Sequence, residues 1–404
     1  MARYLDSVPL SGITFIRDLM YSVKDPFRLD QGDLSFDAPD SVKESMRRAI
    51  TDNRSHYLQT NGLPQLRELM AAKLRHRNRI PVDSADEVLV TNGGMHGIYA
   101  VMQALLEPGD EVIVPDPEWP PTVGHVMAAH GVPVGCPLYE SRGWRYDLDE
   151  LEKTITPKTK VLYVNTPNNP SGGVLTRDDL ERIAALARAH DLWVISDEAY
   201  EDIVFDGAEH ISIASLPGMY DRTIPIYTFS KSYAMTGLRL GYVAIKNDAM
   251  RSRAKTVVAY TTGNVSSIVQ YGGIGALEAG RACIDGFVTE LEARRTVFYD
   301  GLAELGGIFT GQPPRAAFYA FVKIDPSWKS TPEFKQAGKA LAGHGESLSW
   351  RMAEHLITNG RIGNVPGEDF GAQGEGHIRF CFARDRKELA GAIESMKSLF
   401  AVKV

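Results

Sequence analysis

Between residues 85 and 245 short apolar runs alternate with amphipathic stretches. The runs EVLV (87–90), EVIV (111–114), KVLYV (160–164), LWVIS (192–196), IPIYTF (224–229) and GYVAI (241–245) are nearly continuous in apolar character. Runs of that length, bounded by turn residues, predict strands buried on both faces of a mostly parallel sheet. Between them Ile98, Val101, Met102, Leu105 and Leu106 recur at helical spacing. TRDDLERIAALARAH (176–190) opens on a Thr176 cap and carries Leu180, Ile183, Ala184 and Ala187 on one face, the pattern of an amphipathic helix. Strands alternating with helices predict an α/β domain.

After residue 265 the pattern changes. SSIVQYGGIGALEAGRACIDGFVTELEARRTVFYDGLAEL reads as long helices, and AAFYAFVKI and HIRFCFA read as strands among further helices. A separate α+β region is expected there. The first 40 or so residues show Gly and Pro punctuation and no strong period, so they are expected to run over other elements as an arm.

Composition narrows the class. The chain has 404 residues, 44% hydrophobic and 24% charged, ordinary for a soluble protein with a sizeable core and long enough for two or three domains. A net charge of −7 without a long basic run argues against nucleic acid or an anionic membrane as partner. No apolar stretch is long enough for a spanning helix or, near the start, for a signal peptide. Cys136, Cys283 and Cys381 lie far apart and form neither zinc spacing nor a CxxC pair, which fits a reduced, cytoplasmic setting. Two formal glycosylation sequons, at Asn53 and Asn264, carry no weight without an export signal.

Candidate chemistry gathers at the strand ends, where open parallel sheets place their sites. EVLV runs into TNGGMHG, EVIV into PDPEWPP, VLYV into NTPNNPSGG, LWVIS into DEAY, and IPIYTF into SKSYAMTGLR. One site would then gather a Gly-Gly turn, Trp119, Asn169, Asp197, Tyr200, Lys231 and Arg239. Taken singly each has a commoner reading: a helix cap for the aspartate, a turn for NNP and TNGG, core for the tryptophan, a solvated charge for the lysine. Together they suit one chemistry. Pyridoxal phosphate needs a lysine amine for its aldehyde, a carboxylate for its pyridine nitrogen, and donors for its phenolic oxygen. It also needs backbone N–H groups with an arginine for its phosphate, and an aromatic face for its ring. A lysine in so apolar a stretch as YTFSKSYAMTGLRLGY (227–242) is costly unless it is partnered or neutral.

Six motifs in order carry a resemblance that covers nearly the whole chain. They are YLQTNGLPQLRELMA (57–71), TNGGMHGIYA (91–100), NTPNNPSGGVL (165–175), SDEAYEDIVFDG (196–207), TFSKSYAMTGLRLGY (228–242) and VPGEDFGAQGEGHIRFCFA (365–383). The sequence resembles the class I/II aminotransferases, pyridoxal-phosphate enzymes of fold type I in the aspartate aminotransferase superfamily. That resemblance implies a large domain with a mostly parallel seven-stranded sheet between helices, plus a smaller α+β domain. It implies an arm with part of the small domain at 1–45, a large cofactor-binding domain at 46–290, and a small domain at 291–404.

The residue roles carry over where the motifs match. Lys231 matches the Schiff-base lysine that later shuttles a proton, Asp197 the partner of the pyridine nitrogen, and Tyr200 and Asn169 the pair on the phenolic oxygen. Gly93, Gly94 and Met95 match the phosphate-cradling helix start. Thr228 and Arg239, with Ser230, match further phosphate ligands, and Trp119 the stacking aromatic. Tyr57 resembles a tyrosine that reaches the phosphate of a neighbouring subunit, which implies a homodimer with shared sites. Arg379 resembles the arginine that grips the substrate α-carboxylate, and Gly32 a glycine beside the substrate. The implied partners are an L-amino acid and a 2-oxo acid.

Some relatives of this type that act on aspartate carry lysine directly after the Gly-Gly turn. Here that residue is Met95, so a neutral, apolar or aromatic donor is expected over aspartate. The same residues would also serve a β-eliminating C–S lyase, a decarboxylase or an oxidase. A regulator built on this fold would need a DNA-binding domain, for which there is no room ahead of SGITF. GGIGALEAG (272–280) lacks the spacing of a dinucleotide loop, and no GxSxG, HExxH or P-loop is present.

Overall fold

The computed structural model describes residues 3–337 and 345–400. The first sheet comprises β1 (Val88–Thr91), β2 (Glu111–Asp116), β3 (Val132–Tyr139), β4 (Arg145–Tyr146), β5 (Thr159–Asn165), β6 (Trp193–Asp197), β7 (Thr223–Thr228) and β8 (Gly241–Ala244). Their order is β1-β8-β7-β6-β5-β2-β3-β4. The run β7-β6-β5-β2-β3 is parallel, and β8 is antiparallel to both neighbours. All six apolar runs became strands, shifted by a residue at most at their starts. The sheet has eight strands where seven were expected. The additional one, β4, is a two-residue antiparallel extension at the edge, pairing Leu138 with Tyr146.

Helices cover both faces. Gly93–Leu105 buries Ile98, Val101 and Met102 against Val112, Val114 and Ile226 of the sheet. Arg177–Ala189 packs Leu180, Ile183 and Ala184 against Ile113, Leu162 and Val194 on the other side. Its Thr176 hydroxyl accepts from the Asp179 N–H while Asp179 accepts from the Thr176 N–H, a reciprocal cap.

A second sheet of β9 (Phe309–Thr310), β10 (Tyr319–Ile324), β11 (Val365–Pro366) and β12 (His377–Cys381) runs in the order β11-β12-β10-β9. Phe318, Phe380, Phe382 and Met352 fill its core. Helix Ala282–Ala303 joins the two cores, with Ile284 in the first and Leu291, Phe298 and Leu302 in the second. The division expected after residue 290 falls within this continuous helix.

The N-terminal segment is more ordered than its weak period suggested. Gly12–Ser22 is a helix, started by the Ser11 hydroxyl and by Asp369, whose carboxylate accepts from the Gly12 N–H at 2.7 Å and the Ile13 N–H at 3.1 Å. Ile16 and Met20 pack on Trp350 and Ile357, so the second region supplies the apolar face that a lone short helix lacks. No helix among the described residues is long and apolar enough to cross a membrane.

Candidate active site

The carboxyl ends of β5, β6 and β7, the start of helix Gly93–Leu105 and the middle of β12 converge on a cavity of about 460 Å³, within the range that holds a cofactor and a small substrate. Of the fourteen candidates, twelve line it: Gly32, Gly94, Met95, Trp119, Asn169, Asp197, Tyr200, Thr228, Ser230, Lys231, Arg239 and Arg379. Gly93 lies directly behind, at φ +80°, where a Cβ would meet the Arg239 guanidinium at 2.5 Å. Only glycine permits that close approach together with that backbone conformation. Tyr57 stands apart, 98% exposed on the surface.

Lys231 lines this cavity. It sits on the short helix Phe229–Ser232 that follows β7, capped by the Thr228 hydroxyl, which accepts from the Ser230 N–H. The ammonium donates to the Gly32 carbonyl at 2.5 Å and makes no ion pair among the described residues. Burial disfavours its charge and lowers its pKa to about 8, opposed chiefly by Asp33. The result is a lysine far readier to act as an amine than one in water.

Asp197 ends β6 and is fully desolvated, which raises its carboxyl to about 6. The Tyr163 hydroxyl donates to one oxygen at 2.9 Å and the Ala199 N–H to the other at 3.1 Å. These bonds hold the anion in place but do not offset burial, and among the described residues no cation pairs directly with it, the Lys231 charge acting only from a distance. The neighbouring Glu198 points away into a separate network, where His210, Ser212, Ser196 and Tyr227 bond it.

Arg379, on β12, is 1% exposed. It donates to the Asn169 side-chain oxygen at 3.0 Å and the Asp30 carbonyl at 2.8 Å, and stacks over the Tyr319 ring at 4.4 Å. No carboxylate pairs with it among the described residues, so a buried positive charge waits for an anion. Arg239 lies at the other end, in a left-handed conformation (φ +56°), donating to the Thr236 carbonyl at 2.7 Å.

The profile of the family "Aminotransferase class I and II" matches residues 24–396. The chain belongs to the class I and II aminotransferases. It is 35% identical to an aspartate aminotransferase of Pyrococcus abyssi, covering 100% of this chain and 99% of that one. It is also 35% identical to an aromatic-amino-acid aminotransferase of Thermococcus litoralis, covering 99% and 98%. A solved structure of Thermus thermophilus aspartate aminotransferase with maleate superposes with a TM-score of 0.89 at 31% identity, covering 99% of both chains.

The cofactor of this aminotransferase is pyridoxal 5′-phosphate, and the residues present fit it. A depressed lysine, a desolvated carboxylate without a cation, a donor tyrosine, and a glycine turn against an arginine supply one partner for each of its polar groups, with Trp119 half-buried beside them.

Four residues in or behind the cavity escaped sequence reading. Tyr163, read only as part of a strand, holds Asp197; a phenol in an apolar run needs a buried partner, and that was the available signal. Tyr319, inside AAFYAFVKI, gave the same signal. Its hydroxyl lies 2.7 Å from that of Tyr200. Asp33, which accepts from the Thr236 hydroxyl at 2.7 Å, and Arg17 also line the cavity. Arg17 rides on the unforeseen Gly12–Ser22 helix and nothing local marked it.

Proposed function

We propose that this aminotransferase draws its amino group from a neutral, apolar or aromatic L-amino acid in preference to aspartate, passing it to a 2-oxo acid. Met95 carries the reading. It follows the Gly-Gly turn, lines the cavity and offers neither charge nor hydrogen-bond donor. A distal carboxylate against it would lose water without gaining a partner. Ile13, Ile98 and Trp119 extend the apolar surface. The two relatives at 35% identity bear different donor names, aspartate and aromatic amino acids, so overall similarity does not choose between them.

In this reading Lys231 holds the cofactor and carries the proton to and from the substrate Cα, Asp197 balances the pyridine nitrogen, and Tyr200 and Asn169 bond the phenolic oxygen. Gly93, Gly94, Thr228, Ser230 and Arg239 receive the phosphate, and Arg379 takes the α-carboxylate in a two-pronged bond. Bound pyridoxal phosphate supplies the electron sink that lets the Cα proton leave. Tyr57, fully exposed on its own protomer, reaches the phosphate of a second copy in a homodimer with shared sites.

One observation favours a second reading. Arg17 lines the cavity with its side chain 45% exposed and, among the described residues, only the adjacent, exposed Asp18 as ion-pair partner. Such a pair is weak, so Arg17 is free to meet the distal carboxylate of an acidic substrate. The test is kcat/KM for aspartate beside alanine, methionine and phenylalanine, with 2-oxoglutarate or pyruvate as acceptor, in wild type, Met95→Lys and Arg17→Met. The proposal expects neutral donors to lead in wild type and aspartate to gain in Met95→Lys. A clear lead for aspartate in wild type, abolished in Arg17→Met, establishes the second reading instead.

A further inference from the structure

Tyr319 occupies a position that neither the cofactor contacts nor the substrate contacts above require. It is 1% exposed, on β10 two residues from Phe321, which pairs with Arg379 across to β12. Its hydroxyl is 2.7 Å from the Tyr200 hydroxyl, and the two rings meet edge to face, 5.7 Å between centroids. The opposite side of that hydroxyl faces Gly32, where any Cβ would collide with it. Its ring face carries the Arg379 guanidinium. Gly32, whose own carbonyl accepts from Lys231, thus leaves room for a phenol rather than for the substrate alone.

We propose that Tyr319 is a positioning residue: it donates to Tyr200, strengthening the bond that Tyr200 gives the cofactor's phenolic oxygen, and its ring seats the arginine that takes the substrate carboxylate. The inference rests on the assignment of Tyr200 as that donor. Tyr200 has one hydroxyl proton. If that proton goes to the cofactor, the bond between the two phenols must be donated by Tyr319. Burial raises both phenols, Tyr200 well above the usual range and Tyr319 to about 12, and the Arg379 charge opposes the rise at both. A hydroxyl that accepts a hydrogen bond donates a stronger one, by about 10–30% in condensed phases. A stronger bond at the phenolic oxygen favours its anion and lowers the basicity of the nitrogen that links Lys231 to the cofactor.

The test is the pH titration of the bound cofactor's absorbance in wild type, Tyr319→Phe, Tyr200→Phe and the double variant. Tyr319→Phe keeps the ring under Arg379 and loses only the hydroxyl. Its midpoint should rise by roughly 0.2–0.6 pH unit, with KM for the amino donor within about threefold of wild type and the loss falling on kcat. Tyr200→Phe should raise the midpoint further, and adding Tyr319→Phe to it should change nothing, because Tyr319 acts through Tyr200. A shift in Tyr200→Phe with none in Tyr319→Phe overturns the inference and leaves the site reading intact. No shift in Tyr200→Phe overturns the site reading itself. Should Tyr319→Phe fold poorly, Gly32→Ala, which displaces the same hydroxyl, must raise the midpoint too, and an unmoved midpoint there also refutes the inference.

Discussion

Asp197 gives a prediction in which function and stability pull in opposite directions. Its carboxyl is lifted from 3.8 to about 6 by burial, so in the cofactor-free protein the charged form is held at a cost. A folded pKa above the unfolded one means the native state binds more protons between pH 3.8 and 6, so stability falls as pH rises through that window. The displacement is worth about 3 kcal/mol above pH 7 and about 1 kcal/mol near pH 4.5. Asn cannot ionise, keeps the shape, and still accepts from Tyr163. Cofactor-free Asp197→Asn should therefore be more stable than wild type by up to about 3 kcal/mol at pH 7.5, with the gain shrinking to about a third at pH 4.5. With cofactor bound the order should reverse, because the carboxylate then has its cation. Urea unfolding of both proteins at the two pH values, with and without pyridoxal phosphate, measures all four quantities. A cofactor-free Asp197→Asn no more stable than wild type at pH 7.5 would show that Asp197 is not the strained anion its surroundings imply.

The remaining predictions are more direct. Lys231→Ala should lose the absorbance of the lysine-linked cofactor and lower turnover by at least about 10⁴-fold, since no other amine can take its place; an unchanged spectrum refutes the assignment. In cofactor-free protein the depressed pKa of Lys231, about 8 against 10.5, means the unfolded chain binds more protons between those values. Stability should therefore rise with pH across that window by about 3 kcal/mol, and the rise should vanish in Lys231→Met. Sedimentation of the active protein should show a dimer, and Tyr57→Phe should weaken retention of pyridoxal phosphate on dialysis; a fully active monomer would contradict the shared-site reading.

The parallel core was legible because its strands are buried on both faces and so read as unbroken apolar runs. β3 was not. VPVGCPLY is interrupted by Pro133, Gly135 and Pro137 and is only partly buried, so neither alternation nor a continuous run marks it. Helix Gly12–Ser22 escaped for a different reason: its partners, Trp350, Ile357 and Asp369, lie more than three hundred residues away. At the site, groups that follow strand ends in recognisable motifs were found, and twelve of them line one cavity. The second layer was missed because Tyr163 and Tyr319 work from within strands, and a strand period says which face a phenol occupies, not what its hydroxyl meets.

The cavity is assembled from two sheets with separate cores. Lys231 and Asp197 follow or end β7 and β6 of the first, Arg379 lies on β12 of the second, and the helix Ala282–Ala303 runs from one core into the other. In the roles proposed for Lys231 and Arg379, an α-amino acid would be bonded at its nitrogen from one sheet and at its carboxylate from the other, as a bolt between two plates. An amine that lacks the carboxylate fastens to one plate only. It leaves the buried guanidinium unmet and gains nothing from bringing the plates together. If Arg379 takes the carboxylate as proposed, discrimination between amino acids and plain amines follows from where the two sheets meet, and does not depend on the side-chain pocket that chooses among amino acids.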